Sequence, residues 1–265
     1  MPILRTYSVL FRAYWAIALE YRAALIVWTI TNVAPMFMVM SAWLTLIEDG
    51  NIPNMTKGDF VIYYIGLSFV RRLTGVWIIW DIDREIRHGL LSPKLLKPLH
   101  PIHFEFARTF ASKPLEVIVL SPLIIGALLF FPSIAFSTSW VTLFSFVCSV
   151  LLALLIEFYI QWNIGLLSIW ITQATSVYNL WMIGRFLFGG YALPIYLFPQ
   201  KVFELIQWLP FRYVLSFPVE IITGQTEGIN IFQGILIQLY WLAILVLISY
   251  LIWKKGSRYY SAVGA

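Results

Sequence analysis

Residues 60–100 read FVIYYIGLSFVRRLTGVWIIW and then DIDREIRHGLLSPKLLKPLH. The first part is a mainly apolar run with the length that a helix needs to cross the hydrocarbon core of a membrane, about 20 residues for about 30 Å. The second part has nine charged or histidine side chains in twenty residues, yet its leucines and isoleucines recur at helical spacing. This stretch therefore predicts a membrane-spanning helix that continues into an amphipathic segment (residues 81–100) outside the hydrocarbon core.

The composition of the whole chain is that of a protein embedded in lipid. Its 265 residues are 60% hydrophobic and 12% charged, whereas an ordinary soluble domain has roughly 25% charged residues. We predict an all-α membrane protein with six transmembrane helices, near residues 23–47, 60–80, 115–135, 139–163, 175–198 and 231–253. Apolar character continues beyond the fourth of these runs to residue 172, so the fourth helix is either long and tilted or broken around Asn163 and Gly165.

The distribution of lysine and arginine predicts the orientation. Residues 1–22, 81–113 and 254–265 contain 3, 6 and 3 of these cations, whereas the alternate connections contain 3 in all. The positive-inside rule then places both termini in the cytoplasm. Because the basic residues flank the spans, the net charge of +5 does not indicate a nucleic-acid partner.

We expect one transmembrane permease domain over residues 1–265, with no soluble domain and no internal repeat. Residues 1–22 have an apolar helical stripe typical of a helix lying in the membrane surface, although they could also be the cytoplasmic end of the first span. The remaining parts are a cytoplasmic loop at 81–113, an outer loop at 199–230 and a cytoplasmic tail at 254–265.

The amphipathic segment has its own start and stop signals. Gly89 is a good helix terminator, and Ser92 followed by Pro93 predicts a restart with serine as N-cap. Such a short helix must bury its apolar face against lipid headgroups, the spans or another polypeptide. Mixed charges favour docking on a protein over binding to lipid. The apolar face is formed by Leu95, Leu96 and Leu99.

Three sequence motifs resemble those of a known family. They are EIRHGLLSPKLLKPLHPIHFEFA (85–107), LPFRYVLSFPVEIITG (209–224) and the basic tail ending SRYYSAVGA (257–265). Together they resemble permease subunits of the type-2 ATP-binding-cassette (ABC) exporter superfamily. More narrowly, they resemble bacterial six-span permeases that pair with a second permease and a separate ATPase.

The resemblance implies a role for each of these parts. The connection between spans 2 and 3 would hold a cytoplasmic coupling helix seated in a cleft of the ATPase, residues 1–22 would be the connecting helix, and re-entrant outer helices would lie between spans 5 and 6. The protein would be a multi-pass protein of the bacterial cytoplasmic (inner) membrane. The residues implied in coupling to the ATPase are Arg84, Ile86, Arg87, Leu90, Leu91, Lys94, Leu95 and Leu96.

Energy is expected from a partner, because the chain has no G-x-x-x-x-G-K-[ST] phosphate-binding loop. The resemblance implies two copies of an ABC ATPase, which would use ATP and Mg, while this chain binds no cofactor and is not itself an enzyme. It also implies a second permease chain, for which a paralogue is favoured over a second copy. Membrane lipid is the remaining expected partner.

Ionisable residues inside spans are costly and point by default to function. One interpretation is that Glu157 pairs with an arginine and the others bond carbonyls, which holds the helices in register. The other is that the surplus positive charge attracts an anionic headgroup or acidic substrate. These candidates for the substrate path are Arg71, Arg72, Glu157, Gln161, Asn163 and Arg185.

The alternative function is a membrane-embedded lipid-modifying enzyme. Such an enzyme needs convergent acid, base, nucleophile or metal groups at membrane depth, and the spans contain no G-x-S-x-G, H-E-x-x-H or paired aspartates. His100 and His103 have the spacing for a metal, but no local ligand set completes a site beyond Glu105. We therefore predict neither a catalytic centre nor a metal site.

Overall fold

A computed structural model describes residues 2–48, 57–130 and 139–260, and within these ranges all regular secondary structure is helical. Short 3-10 turns lie at Leu167–Ile169 and Ile195–Leu197. The α-helices are α1 (Pro2–Glu20), α2 (Arg22–Glu48), α3 (Lys57–Thr74), α4 (Ile79–Arg87), α5 (Ser92–Leu95), α6 (Ile102–Phe130), α7 (Trp140–Leu166), α8 (Ala174–Phe188), α9 (Gln200–Ile206), α10 (Pro210–Val214), α11 (Ser216–Ile222) and α12 (Ile229–Tyr259).

Four stretches of the described chain are long and apolar enough to cross a membrane, and they match the first, second, fourth and sixth predicted spans. Two further predicted spans do not reach this standard. The predicted third span begins within α6, but its end at residue 135 lies outside the described residues. The predicted fifth span contains α8, which has 15 residues, or about 22 Å at 1.5 Å per residue, and ends before Gly189. The four stretches are Arg22–Leu46, Lys57–Arg87, Trp140–Ile169 and Ile229–Tyr259.

The fourth predicted span is one long helix and not a broken one. Helix α7 runs through Asn163 and Gly165 without interruption for 27 residues. Gly165 serves packing here, because a Cβ atom at this position would lie 2.8 Å from Cγ2 of Ile82 on α4. The missing side chain therefore allows α4 to approach α7 closely.

The second span, by contrast, is broken between α3 and α4, which the apolar sequence did not predict. Lys113 of α6 donates from Nζ to the carbonyl oxygens of Gly75 and Arg72, the latter at 3.3 Å. Gln161 of α7 donates from Nε2 to the carbonyl oxygen of Val76 at 2.5 Å. Its Oε1 accepts from the backbone nitrogens of Ile78 and Ile79 at 3.2 and 3.4 Å. Irregular backbone at membrane depth requires such internal partners.

Helix α7 lies at the centre of the bundle and packs against α3, α4, α11 and α12, while α1 packs along α6. Two apolar clusters result. One joins α3 to α10 and α11 through side chains such as Tyr63, Leu67 and Phe217. The other joins α4 and the amphipathic segment to α7 through side chains such as Ile82 and Phe158.

The predicted outer loop at 199–230 contains three short helices, α9 to α11. Every residue of α11 from Ser216 to Ile221 is buried, so this loop contributes to the core. Nearby, the hydroxyl of Tyr63 donates to the carbonyl oxygen of Gly190 at 2.9 Å. Gly190 has φ +84°, and a Cβ atom there would lie 2.3 Å from the Tyr63 hydroxyl oxygen. Glycine is therefore required where α8 ends against α3.

Candidate functional site

The amphipathic segment is a helix, a turn and a second short helix. Helix α4 ends before His88, and Gly89 then adopts φ +71°, which permits the turn. The second helix, α5, differs in detail from the prediction, because Leu91 and not Ser92 is its N-cap and no side chain caps it. The hydroxyl of Ser92 instead lies 3.3 Å from the hydroxyl of Tyr260.

Two residues implied in coupling face the protein interior. Ile86 and Leu91 are each only 5% exposed and belong to the apolar cluster with Phe158 and Trp162 of α7. Their position follows from the close approach of α4 to α7. Ile86 and Leu91 therefore anchor the segment to the bundle.

Three leucines of the segment lie on the outside of the described structure, and we refer to them as the exposed leucines. Leu90 is 51%, Leu95 40% and Leu96 89% exposed. Arg84 and Arg87 flank them with side chains that are 63% and 48% exposed. The surface is thus apolar, with arginines at its edge.

Lys94 holds this surface in place and is largely buried. Its Nζ donates to Glu85 at 2.6 and 2.7 Å and to Glu105 at 2.8 Å, which links α5 to α4 and α6. Burial acts to lower the pKa of Lys94, but the carboxylates of Glu105 and Glu85 outweigh it and raise that pKa. Lys94 is therefore a structural cation that stays protonated at neutral pH.

The other charges of the segment form further ties to the bundle. Asp81 pairs with Arg84 at 2.6 Å and with Arg108 of α6 at 2.7 Å. On the opposite side, the carboxylate of Asp83 pairs with Arg87 and accepts from Ser168 at 2.7 Å. These bonds fix α4 between α6 and the end of α7.

The histidines near the segment have neighbours of other kinds. Nδ1 of His103 lies 2.5 Å from the hydroxyl of Tyr7 on α1, and the ring of His100 lies 4.3 Å from that of Trp253. Among the residues that the structure describes, no three His, Cys, Asp or Glu side chains are grouped in a way that could hold a metal.

Three of the candidates for the substrate path meet in one buried network. Glu157 is 0% exposed, and its Oε1 lies 2.9 Å from Nη1 of Arg185 and accepts from Nε2 of Gln161 at 2.9 Å. Its Oε2 accepts from the indole nitrogen of Trp181 at 3.1 Å. Since Gln161 also binds the break in span 2, this network connects α7 and α8 to the break.

The other three candidates lie apart from this network. Asn163 donates from Nδ2 to the carbonyl oxygen of Leu245 on α12 at 3.0 Å. The guanidinium of Arg71 lies 4.8 Å from the centre of the Tyr191 ring. Nε of Arg72 lies 3.4 Å from Oε2 of Glu116.

Arg72 belongs to a second charged cluster, two residues of which were not predicted from the sequence. Glu116 lies inside the predicted third span, so the rule that intramembrane charges are informative applies to it as well. Lys113 falls at the end of the predicted cytoplasmic loop, yet it pairs with Glu116 at 3.1 Å. Together with Arg72 they form a cluster of two cations and one anion beside the broken span.

Comparison with known proteins gives one family. The model of the ABC-2 family transporter proteins matches residues 26–264, which is most of the chain. No curated protein matches the chain.

Proposed function

Because the chain belongs to the ABC-2 family of transporter proteins, we propose that it forms half of the translocation path of an ATP-driven exporter and docks a separate ATPase. Membership makes it a multi-pass membrane component of an ABC transporter, which is not itself catalytic. The partner ATPase follows from the family. The docking surface and the direction of transport are parts of the proposal.

The observation that carries the docking proposal is the exposure of Leu90, Leu95 and Leu96, which lie in or next to the short helix α5, beside α6. Apolar side chains grouped on a polar surface mark an interaction site. The ion pairs of Lys94 with Glu85 and Glu105 keep the leucines from folding back onto the bundle. A rigid apolar surface with arginines at its edge is suited to bind in a cleft of another protein.

The broken span suggests how movement of the ATPase would reach the membrane. Lys94 ties α5 to α4, so a displaced α5 would pull α4 with it. The interruption between Thr74 and Ile79 allows α4 to tilt relative to α3, because no continuous helix joins them. Gln161 would pass this tilt to the network around Glu157, and the path would switch between inward and outward access.

The complex that we propose has two copies of the ATPase, which use ATP and Mg, and a paralogous second permease. This chain would hold no cofactor of its own. Its six spans would lie in a bacterial cytoplasmic membrane with both termini in the cytoplasm, and residues 199–230 would form re-entrant helices on the outer side. The burial of α11 supports that last assignment.

Copurification tests the docking surface. We expect Leu96→Asp to reduce by tenfold or more the amount of a subunit with a phosphate-binding loop that copurifies with the chain, together with its ATP hydrolysis. Leu205→Asp is the matched control, because Leu205 is a 61% exposed leucine on the short helix α9, within the proposed outer loop. An ATPase that stays bound to Leu96→Asp, or is lost equally from both variants, would contradict the proposal.

A further inference from the structure

A cavity of about 520 Å³ lies where the joint between α1 and α2, the break in span 2 and helix α6 meet. It opens to the outside of the bundle. Its wall includes four aromatic side chains and one pair of opposite charges, namely Tyr21, Trp28, Trp77, Trp80, Arg72 and Glu116.

The aromatic wall is arranged to contact hydrocarbon. The rings of Trp77 and Trp80 are stacked with centroids 5.6 Å apart, and that of Trp28 lies 6.2 Å from Trp77. Each of the three side chains is more than a third exposed. They form a continuous apolar surface between the outside of the bundle and the guanidinium of Arg72.

The inner end of the cavity has an excess of positive charge. The Arg72 side chain is 11% exposed, and its Nε and Nη2 have no hydrogen-bond partner among the described residues. Glu116 lies near Nε, but its carboxylate also pairs with Lys113 at 3.1 Å and accepts from Ser112 at 2.9 Å. Two cations therefore share one carboxylate, and a buried guanidinium is left with unused donors, which is costly.

The space available limits what can satisfy those donors. Behind Arg72 lies a cavity of about 30 Å³, which has room for a water molecule but not for a larger group. The large cavity is the side on which a tetrahedral anion fits. Guanidinium donors match the oxygens of a phosphate in geometry and charge.

We propose that this cavity binds one anionic phospholipid, with its phosphate at Arg72 and an acyl chain along Trp28, Trp77 and Trp80. A phospholipid fits better than a soluble anion because the charged end is reached through an apolar wall that faces the membrane. The proposal rests on the placement of the chain in a membrane. It is independent of ATPase docking, so either proposal can fail while the other stands.

The test uses the full chain in vesicles of phosphatidylcholine that contain increasing fractions of phosphatidylglycerol. In each experiment only one of the two lipids carries brominated acyl chains. Bromine quenches tryptophan fluorescence on contact, and the difference between the protein and its Trp77→Phe variant isolates the signal from the cavity. We expect brominated phosphatidylglycerol to quench this signal at a lower mole fraction than brominated phosphatidylcholine. Equal quenching by the two lipids would overturn the proposal.

Variants separate the phosphate contact from general attraction to the membrane. Arg72→Gln should weaken the phosphatidylglycerol preference by about tenfold or more, the loss expected for charge-assisted hydrogen bonds. Arg84→Gln, which removes the same charge at an exposed site away from the cavity, should leave the preference unchanged. An unchanged preference in Arg72→Gln contradicts the proposal.

Glu116→Gln provides an independent result of opposite sign if Arg72→Gln fails to insert. Removal of this carboxylate leaves Arg72 and Lys113 without their shared anion, so the preference for phosphatidylglycerol should increase. A decrease or no change would count against phosphate binding at Arg72. If inorganic phosphate, at the same mole ratio to protein as phosphatidylglycerol, abolishes the quenching by brominated phosphatidylglycerol, the ligand is a soluble anion. That result would also overturn the proposal.

Discussion

Glu157 is the residue whose environment says most about the bundle interior. It is wholly buried, pairs with Arg185 and accepts hydrogen bonds from Gln161 and Trp181. A buried carboxylate with this many partners fixes the relative position of α7 and α8. The structure thus favours a register-holding role for Glu157 and Arg185. Among the residues that the structure describes, Arg72 is a buried cation whose Nε and Nη2 have no hydrogen-bond partner.

Removal of the carboxylate charge tests this role. Glu157→Gln leaves Arg185 buried without its anion, so we expect a loss of about 3–5 kcal/mol in the free energy of unfolding, measured as a lower unfolding temperature of the purified protein in detergent. Trp181→Phe, which removes one hydrogen bond and keeps the ring, should cost about 1 kcal/mol. The double variant Glu157→Gln with Arg185→Gln should be no less stable than Glu157→Gln alone, and strictly additive losses would show that the pair does not interact.

The sequence identified these charged side chains as candidates, but it did not predict which of them contact one another. Composition and depth identify Arg71, Arg72, Glu157 and Arg185 as unusual, because charge is rare in spans. Which of them are in contact depends on how each helix is rotated about its axis. A wholly apolar run does not indicate that rotation, because it has no polar face. The partners of Arg72 come from α6, about forty residues further along the chain, and therefore could not be predicted from local spacing.

At the scale of helices, the length of the apolar runs predicted the four stretches that are long and apolar enough to cross a membrane, but it did not predict the break in span 2. The run from Val76 to Trp80 is apolar and carries no proline, so it reads as uninterrupted helix. The break is stabilised by Lys113 and Gln161, which are distant in sequence. Likewise, helical spacing grouped Ile86 and Leu91 with the exposed leucines, because a pattern alone does not distinguish the face packed against α7 from the exposed face.

The break makes a prediction about backbone protection. Gln161→Leu keeps the size of the side chain but removes the acceptor of the Ile78 and Ile79 amides, so these amides should exchange hydrogen faster, as detected by hydrogen–deuterium exchange with mass spectrometry. Asn163→Leu is the control on the same helix, because it loses a bond to α12 and should leave residues 75–79 unchanged. Unaltered exchange at 75–79 in Gln161→Leu would mean that Gln161 does not stabilise the break.

The close approach of α4 and α7 makes a second prediction at this scale. Gly165→Ala places a methyl group 2.8 Å from the Ile82 side chain, so we expect a loss of about 1–3 kcal/mol from overpacking, read from the unfolding temperature. Ile82→Ala in the same chain should restore part of it. Gly126→Ala is the control, since a Cβ atom there meets nothing within 4 Å, and a loss as large as that of Gly165→Ala would rule out the steric explanation.

At the scale of the whole molecule, two contacts bear on the number of times the chain crosses the membrane. Nη1 of Arg87, at the end of α4, donates to the carbonyl oxygen of Thr172 at 3.3 Å, and Ser168 donates to Asp83. Residues 168–172 therefore lie on the same side of the membrane as the amphipathic segment. The six crossings that we propose would account for these contacts, because with four crossings the end of α7 would emerge on the side opposite that segment.

Cysteine labelling distinguishes the two topologies at Ile171. In a Cys148→Ala background, which removes the single native cysteine, we expect Ile171→Cys to react with a membrane-impermeant maleimide only after the membrane is opened. The positive-inside rule predicts that the amphipathic segment is cytoplasmic, and the hydrogen bond from Arg87 to Thr172 joins residue 172 to that segment. Leu96→Cys is the cytoplasmic reference and Leu205→Cys the outer one, and both positions are well exposed. Labelling of Ile171→Cys from outside, together with Leu205→Cys, would mean that α6 and α8 do not cross and that the four long apolar stretches are the only spans.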